Sequence, residues 1–285
     1  MAGTGLDRLR QWMGYQFPPL GPIAFKMFVR FNRGKKITSR FFHNLFVPID
    51  FADIIQTAAY WRGSRYERPT PQIIGRLINE NKLTTFFDIG ANFGFFSYYI
   101  KSAYPSLQIY SFEPGPANYN KMVEVKRQNN LNGFDPQNIG LGDSNGILSF
   151  NLTSGDSGHS TFGDNPLYAN NPSVITEIKV QVMEFDAWRQ QQGIELPGMP
   201  QWIAKIDVEG FELKVLHGMK ESIKAGAFKA VCIEINTHTL DFFKVRSSEI
   251  FDFFAAHGYK AFDEDFQGTQ PLPSPDMRNV FFILN

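Results

Sequence analysis

The fold is decided by residues 86–96, which read FFDIGANFGFF. The apolar, β-branched and aromatic run from Thr84 to Ile89 predicts a strand that is buried on both faces of a sheet. Gly90 and Gly94 have no Cβ, so the chain can turn sharply there and a ligand can approach the backbone. A helix is expected from about Phe93 to Ala103, with the N–H groups of its first turn facing the loop. This strand, turn and helix predict a cradle for a nucleotide-like cofactor.

The loop does not match the dinucleotide-binding pattern G-x-G-x-x-G. That pattern requires glycine at positions 90, 92 and 95, where the chain has Gly90, Asn92 and Phe95. Asp88, at the end of the strand, would repel a phosphate and attract a cationic ligand. Tight glycine turns also occur without any ligand, so a second motif is needed before the loop indicates a site.

A second strand, Gln108 to Phe112, ends at Glu113 and Pro114. Glu113 lies 23 residues beyond Gly90. In doubly wound folds, an acidic residue about 20 residues past the glycine loop accepts hydrogen bonds from ribose hydroxyls. Pro116 suits the first turn of a helix that is expected to continue to about Asn130. Glu113 is therefore predicted to bind a ribose, and an exposed strand end is the alternative interpretation.

A third group of polar residues surrounds the end of the predicted strand Trp202 to Asp207. Lys205 interrupts the apolar run, and Glu209 follows two residues after Asp207. Ligands of doubly wound sheets bind at the carboxyl ends of the strands, so Asp207 is expected beside the first two motifs. A carboxylate there can orient an acceptor hydroxyl, take its proton or bind a divalent cation. Glu209 can instead stabilise the N-terminus of the following helix through the helix dipole.

Histidine has a pKa range suited to a general base, which makes His238 a candidate for proton transfer. It follows the predicted strand Lys229 to Ile235, together with Glu234 and Asn236. A hydrogen-bonded structural histidine is an equally good interpretation. His159, in the small polar loop at residues 154–163, is a further candidate for a substrate contact, and a solvent-exposed loop histidine is at least as good an interpretation. The spacing of His43, His217 and His257 indicates no metal site.

Five motifs resemble, in order and spacing, those of one known family. They are DIGANFG (88–94), FEP (112–114), NIGLGD (138–143), VMEFD (182–186) and KIDVEGFE (205–212). Together they are similar to the motifs of the FkbM family of S-adenosylmethionine-dependent methyltransferases, over roughly Pro71 to Asn285. The resemblance implies an α/β fold with a doubly wound, Rossmann-like class I methyltransferase sheet, mostly parallel with a final antiparallel strand. It also implies S-adenosylmethionine as the cofactor.

The resemblance implies roles for individual residues. Asp88 would hold the methionine end of the cofactor, Glu113 the ribose, and residues 141–143 the adenine side, while Asp207 would border the site of methyl transfer. The candidate cofactor-binding residues are Asp88, Gly90, Asn92, Phe93, Gly94, Glu113, Pro114, Leu141, Gly142, Asp143 and Asp207. The candidate catalytic residues are Asp207, Glu209 and His238, and no metal is expected. The expected acceptor is a hydroxyl of a sugar, a glycolipid or another natural product.

Two other functions remain open from the sequence. A nicotinamide-dependent oxidoreductase shares the sheet and the ribose carboxylate, although the missing G-x-G-x-x-G argues against it. A non-catalytic interaction module would retain the fold and the cofactor pocket without turnover. Binding measurements with NAD and with S-adenosylmethionine distinguish an oxidoreductase from a methyltransferase. An assay of methyl transfer distinguishes a non-catalytic interaction module from a methyltransferase.

Composition is typical of an enzyme with a full core. The chain has 285 residues, 43% of them hydrophobic, and its basic and acidic residues are equal in number. A formal charge of zero provides no overall attraction to nucleic acid. Cys232 lies in an apolar run and is expected to be buried, and one cysteine allows no disulfide within the chain. No apolar run has the length of a membrane-spanning helix and no signal peptide is recognised, so a cytoplasmic location is expected.

Charge is unevenly distributed along the chain. Residues 1–45 contain eight basic residues and one acidic residue, interleaved with aromatic residues. We expect residues 1–70 to form a helical lid or substrate-covering segment, and residues 71–285 to form the methyltransferase domain. A lid that packs its aromatic rings on the domain is the favoured interpretation. Contact of residues 1–45 with a membrane surface or a lipid-linked substrate is the second, and nucleic-acid binding is the least favoured.

Strand and helix patterns alternate along the rest of the chain. The runs Ile147 to Leu152 and Glu177 to Met183 alternate in polarity and predict a hairpin-like insertion. Strands are also expected at Gln137 to Leu141, Tyr259 to Phe262 and Val280 to Leu284, with helices near Phe211 to Ala225 and Ser247 to Ala256. This alternation is typical of a mostly parallel, doubly wound sheet.

Overall fold

The computed structural model describes residues 21–42, 45–163 and 174–285. Its strands are β1 (Lys36–Phe41), β2 (Leu45–Asp50), β3 (Thr85–Ile89), β4 (Gln108–Phe112), β5 (Phe134–Gln137), β6 (Gly140–Leu141), β7 (Gly146–Thr153), β8 (Thr161–Phe162), β9 (Ile175–Met183), β10 (Trp202–Ile206), β11 (Phe228–Asn236), β12 (Tyr259–Phe262) and β13 (Met277–Leu284). Its helices are α1 (Gly21–Asn32), α2 (Ile54–Arg62), α3 (Thr70–Asn81), α4 (Phe95–Ala103), α5 (Pro116–Gln128), α6 (Phe185–Gln191), α7 (Glu212–Gly218), α8 (Lys220–Lys224), α9 (Thr237–Phe242) and α10 (Ser247–Ala256).

Seven strands form the central sheet in the order β12, β13, β11, β10, β3, β4, β5. β3, β4, β5, β10 and β11 are parallel to one another, whereas β13 runs antiparallel to both of its neighbours, β11 and β12. This arrangement confirms the predicted α/β sheet, mostly parallel with a final antiparallel strand. The strand order reverses between β3 and β10, and open α/β sheets bind their ligands at such a point.

The central strands are buried on both faces because helices cover both sides of the sheet. Phe86 and Ile203 belong to one core cluster, whereas their neighbours Phe87 and Ala204 belong to the other. Successive side chains of a strand point to opposite faces, so a continuous apolar run fills both layers. Cys232 is buried in the first cluster, as predicted.

A second sheet has the strand order β6, β9, β7, β8. β7 and β9 pair antiparallel along their length, which confirms the predicted hairpin-like insertion. The expected strand from Gln137 to Leu141 is divided instead, because β5 ends at Gln137 and β6 pairs with β9. Between them the Asn138 side chain donates hydrogen bonds to the carbonyls of Glu113 and Pro114, which turns the chain away from the central sheet. Residues 164–173 of the insertion lie outside the described residues.

The N-terminal segment is not helical throughout. α1 and α2 flank an antiparallel hairpin of β1 and β2, which the sequence pattern did not predict. Phe28, Val47 and Tyr60 join the core cluster that contains Phe86 of the central sheet, so this segment shares a core with the sheet. The division of the chain at residue 70 stays a prediction. Residues 1–20, with their own aromatic and basic side chains, lie outside the described residues.

The expected helix from Phe211 to Ala225 is two short helices, α7 and α8. A Cβ on Gly218 would lie 2.0 Å from the carbonyl oxygen of Gly142, so the end of α7 packs directly on the backbone of the loop after β6. Met219 then takes a non-helical conformation between the two helices. None of the helices in the described part of the chain is both long and apolar enough to cross a membrane.

Candidate active site

A cavity with about 490 Å³ of empty space lies at the carboxyl ends of the central strands. Its walls include the last residues of β3 and β4, Ile89 and Phe112, and the residue that follows β10, Asp207. Six predicted site residues line it, namely Gly90, Asn92, Glu113, Pro114, Leu141 and Asp207. Residues from four separate sequence motifs therefore meet at one cavity.

Gly90 allows the loops after β3 and β10 to touch. Its φ is +80°, and a Cβ at this position would lie 1.8 Å from the carbonyl oxygen of Asp207. The backbone N–H of Asp207 donates a hydrogen bond to the carbonyl of Ile89 at 2.9 Å. Both the left-handed conformation and the backbone contact exclude a side chain here. The turn thus holds Asp207 against the glycine loop.

Glu113 connects the ends of β3 and β4. Its Oε2 accepts a hydrogen bond from the backbone N–H of Asn92 at 2.9 Å, and its Oε1 accepts one from Gly115 at 2.8 Å. Glu113 is 7% exposed, and burial raises the pKa of its carboxyl to about 7, although both hydrogen bonds favour the charged form. Each oxygen keeps a further lone pair for a ligand in the cavity.

Asp88, Phe93 and Gly94 lie behind the loop and are not among the residues that line the cavity. The carboxylate of Asp88 accepts hydrogen bonds from the backbone and side chain of Ser97, at 3.0 and 2.6 Å. Burial raises the pKa of Asp88 to about 6. Phe93 is buried, and Gly94 begins α4 with a φ of +95°, where a Cβ would lie 2.7 Å from Tyr98. These residues shape the loop and α4.

The chain after β5 and the second sheet contribute mainly apolar groups to the cavity. Leu141 lines the cavity together with Ile139, Phe150 and Phe162. Gly142 lies beyond the cavity lining, where its N–H donates to the carbonyl of Met183. Asp143 forms an ion pair with Lys214 at 3.1 Å, away from the cavity. Of the predicted residues Leu141, Gly142 and Asp143, only Leu141 therefore lines the cavity.

Lys205 is a buried cation directly behind Asp207. Its Nζ lies 3.3 Å from Oδ2 of Asp207, and Lys205 is 1% exposed. The ammonium also lies 5.4 Å from the centre of the Phe96 ring. Burial alone would lower the pKa of Lys205, but the carboxylates of Asp207 and Glu234 outweigh it and raise the pKa. Lys205 therefore holds its proton and fixes the position of the Asp207 carboxylate.

The negative charge of Asp207 raises the pKa of two further carboxyl groups, those of Glu234 and Glu67. That charge, with burial, raises the pKa of Glu234 to about 8. Burial and then the charge of Asp207 raise the pKa of Glu67. Glu67 precedes α3, and no sequence motif singles it out, because it belongs to the segment without recognised motifs. Within residues 21–42, 45–163 and 174–285, no group of three or more His, Cys, Asp or Glu residues is arranged to hold a metal ion.

Glu209 occupies the turn between β10 and α7 and does not line the cavity. Its φ is +53°, and its carbonyl accepts a hydrogen bond from Oγ1 of Thr161 at 3.0 Å. Burial, followed by the charges of Asp207 and Glu234, raises the pKa of Glu209 well above its usual range. Oε1 of Glu212, the first residue of α7, accepts hydrogen bonds from the backbone N–H groups of Val208 and Gly210 in this turn. Phe211 is the N-cap residue of α7, and its side chain makes no capping hydrogen bond.

His238 is exposed at the start of α9 and does not line the cavity. Its backbone N–H donates to Oδ1 of Asn236 at 3.1 Å, so Asn236 caps this helix. His238 is therefore not among the residues of the cavity wall.

The pKa of His159 responds to the charged residues of the site. It ends the short turn Ser157–His159, and its Nδ1 is 2.9 Å from Oδ2 of Asp156. The hydrogen bond to Asp156 raises the pKa of His159 against the effect of burial, and the charges of Glu234 and Asp207 raise it further. Ser157 and Ser160, on either side of it, line the cavity. The sequence pointed to this polar loop but not to the Asp156 pair.

A larger cleft with about 1370 Å³ of empty space adjoins the cavity. The linings of the two share Glu113, Ser157 and Ser160. The other walls come largely from the N-terminal segment and α5, and they include Asp50, Asp53, Gln56, Asn118 and Lys121. Burial lowers the pKa of Lys121 to about 8, and its Nζ donates a hydrogen bond to Oε1 of Gln56. This cleft therefore presents charged, amide and hydroxyl groups together with apolar surface.

Comparisons with known proteins identify the family of the chain. The methyltransferase FkbM domain model matches residues 88–261, which is more than half of the chain. The chain is 28% identical over 148 residues to Methyltransferase 1 of Beauveria bassiana, and 29% identical over 158 residues to Methyltransferase sdnD of Sordaria araneosa. Each match covers 47% of this chain, and it covers 57% and 60% of these relatives, respectively. The chain thus spans less than two thirds of their length.

Among solved structures, the METTL16 methyltransferase domain aligns with a TM-score of 0.48 and 11% sequence identity. The alignment covers 84% of this chain and 73% of that domain. The family match includes all four motifs that contribute to the cavity wall, and it identifies S-adenosylmethionine as the cofactor. On the strength of that match, the chain belongs to the family defined by the methyltransferase FkbM domain.

Proposed function

We propose that the protein is an S-adenosylmethionine-dependent methyltransferase that methylates a hydroxyl oxygen of a sugar, a glycolipid or another natural product. The observation that carries this proposal is the single cavity that Glu113 and Asp207 share at the carboxyl ends of the strands. One carboxylate is available for the ribose hydroxyls, and the other lies where the reacting groups would meet.

The cavity residues fit the parts of the cofactor. Ile139, Leu141 and Phe162 provide apolar surface for the adenine, and Glu113 provides an acceptor for the ribose hydroxyls. The turn at Gly90 and Asn92 brings the backbone close to the methionine end, supported from behind by residues 88, 93 and 94. When bound, S-adenosylmethionine supplies a methyl group that is already activated by the positive charge on its sulfur.

The remaining task of the protein is to orient the acceptor and remove its proton. Asp207 is proposed to orient the acceptor hydroxyl, because Asp207 lines the cavity and its carboxylate is held by Lys205 at 3.3 Å. His159, which Asp156 orients at 2.9 Å, is proposed to accept the proton. Neither His159 nor His238 lines the cavity, but Ser157 and Ser160 of the His159 loop do, and the charge of Asp207 acts on His159, so the role is assigned to His159. Glu209, two residues beyond Asp207, does not line the cavity and is given no part in the proton transfer.

The adjoining cleft supports a polar acceptor. Its walls carry carboxylate, amide and hydroxyl groups, which are suited to hydrogen bonds with the hydroxyls of a sugar. Asp50, Asp53 and Gln56 come from the N-terminal segment. This supports the proposal that part of residues 1–70 covers the substrate of a methyltransferase domain formed by residues 71–285.

Calorimetry with S-adenosylhomocysteine and with NAD tests the cofactor assignment. Binding of the first and not of the second is expected, and the reverse would favour an oxidoreductase. Transfer of a labelled methyl group from S-adenosylmethionine to a panel of sugars, glycolipids and hydroxylated natural products then tests the reaction. Mass spectrometry should locate the methyl group on oxygen. Methylation of nitrogen only, or cofactor binding without transfer to any acceptor, would contradict the proposal.

A further inference from the structure

Helix α1 has one face packed against the protein. Phe28 is 6% exposed, and its ring centre lies 5.2 Å from that of Phe51, 5.9 Å from that of Tyr60 and 5.1 Å from that of Trp61. Asn32, one turn further along, is also buried. These contacts determine which side of the helix faces solvent.

The opposite face of α1 is apolar although it is exposed. Ile23, Met27 and Phe31 are spaced four residues apart, so they form one stripe along the helix. Their exposed fractions are 59%, 54% and 67%. An isolated exposed apolar residue needs no explanation, but a continuous stripe over the length of a helix indicates a surface with a partner.

Basic side chains accompany the apolar stripe. Lys26 lies three residues from Ile23, and Arg30 lies three residues from Met27, so both point to the same side of the helix. Lys26 and Arg30 form no ion pair with any residue that the structure describes. Residues 21–42 contain six basic residues and no acidic residue. The field on this side of the molecule is therefore positive.

We propose that this face of α1, formed by Ile23, Lys26, Met27, Arg30 and Phe31, binds the surface of an anionic phospholipid membrane. The helix would lie in the plane of the interface with its apolar stripe among the upper acyl chains and its basic side chains at the headgroup phosphates. With 12 residues, α1 is too short to span a bilayer, so contact is limited to one leaflet.

Charge complementarity favours a lipid surface over a second copy of the chain. Two copies facing each other through α1 would bring Lys26 and Arg30 close to their own equivalents, which repel. An anionic membrane satisfies the apolar and the basic groups together. Residues 1–20 precede this helix, and their composition includes Arg8, Arg10 and Trp12, which suit the same surface. This inference goes beyond methyl transfer and does not depend on it.

Co-sedimentation of the full chain with vesicles tests the proposal. The vesicles are phosphatidylcholine alone and phosphatidylcholine mixed with phosphatidylserine. The wild type should bind the mixed vesicles and release them as the salt concentration rises. The double variant Lys26→Glu/Arg30→Glu and the triple variant Ile23→Ser/Met27→Ser/Phe31→Ser should each bind at least about tenfold more weakly. Circular dichroism and a thermal melt confirm that each variant is folded.

Matched controls carry the same changes on other exposed sites. Lys220→Glu/Lys224→Glu alters charge equally, and Ile147→Ser/Met199→Ser/Met277→Ser removes three other exposed apolar side chains. Both controls should bind as the wild type does. The proposal is wrong if the wild type does not bind phosphatidylserine vesicles, or if the α1 variants bind as well as the controls. It is also wrong if the wild type is a dimer without lipid and the triple α1 variant is a monomer by analytical ultracentrifugation, since a second copy would then cover this face.

Discussion

The backbone N–H of Asn92 donates a hydrogen bond of 2.9 Å to Oε2 of Glu113. This bond joins the glycine loop after β3 to the end of β4, within the wall of the cavity. Glu113 therefore has a structural task in addition to its proposed contact with ribose. A substitution at this position affects both the shape of the loop and the affinity for the cofactor, and the two effects must be measured separately.

Replacing Glu113 by alanine should weaken the binding of S-adenosylhomocysteine by about 1–3 kcal/mol, because the hydrogen bonds to ribose are lost. Calorimetry measures the affinity, and urea denaturation of the same variant measures the contribution of the Asn92 and Gly115 bonds to stability.

Glu80→Ala is the control for Glu113→Ala, because Glu80 is exposed on α3 and lines neither cavity. Its affinity for S-adenosylhomocysteine should equal that of the wild type. If Glu113→Ala also binds with wild-type affinity, Glu113 does not contact the ribose.

Gly90→Ala should destabilise the protein more than Gly34→Ala. Both glycines have a φ of +80°, but a Cβ at Gly34 meets no atom within 4 Å, whereas one at Gly90 would lie 1.8 Å from the Asp207 carbonyl oxygen. Left-handed strain alone costs about 1–2 kcal/mol, and the collision at Gly90 should bring the loss above about 3 kcal/mol. Urea denaturation measures the loss of folding free energy in each of the two variants. Equal losses would show that the loops after β3 and β10 can separate at little cost.

Lys205→Met should destabilise the protein by about 3–5 kcal/mol, because it removes a buried cation and leaves the half-buried carboxylates around it unpaired. At about pH 9, where Glu234 is ionised, adding Glu234→Gln should recover part of the loss, since one carboxylate near Asp207 is then neutral. Chemical denaturation of the wild type, both single variants and the double variant gives the coupling energy. Additive effects would show that Lys205 and Glu234 do not interact.

The stability of the protein should decrease as the pH rises toward 8, in part through Glu234. The charge of Asp207, with burial, raises the pKa of Glu234 from 4.5 to about 8 in the folded protein. Between these values the folded state holds the proton that the unfolded state has released, so the contribution is complete at low pH and disappears through pH 8. From about pH 5 to about pH 9, the melting temperature should therefore fall less for Glu234→Gln than for the wild type or for Glu80→Gln, as thermal melts at the two pH values would show.

The pKa of His159 should fall when Asp156 is replaced by asparagine, because the hydrogen bond to Asp156 is the main cause of its raised pKa. An NMR titration of the imidazole resonances measures this directly, with assignment from a His159→Gln spectrum. Asp143→Asn removes a carboxylate that pairs with Lys214 and should leave the titration of His159 unchanged. A pKa that is the same in Asp156→Asn and the wild type would contradict the proposed orientation of His159 by Asp156.

Much of the central sheet was predictable because its signals are local. Phe86 and Phe87 are adjacent in sequence and fill opposite core layers, and such a run indicates a strand buried on both faces. The turn at Gly90 and the distance from it to Glu113 also follow from local geometry and from the spacing of parallel strands. The division of the strand expected at Gln137 to Leu141 was not predictable, because it depends on hydrogen bonds from Asn138 to the end of β4.

The sequence alone determined the family resemblance, the α/β sheet and the carboxylates at the strand ends, since each depends on residues close together in the chain. Tertiary structure decided which candidates meet. It brought Glu67 and the Asp156–His159 pair near Asp207 and left His238 exposed. It also buried Phe28 while leaving Phe31 at the surface. The physical reason is that burial and charge at one residue depend on packing against segments far away in sequence, and no local pattern encodes that packing.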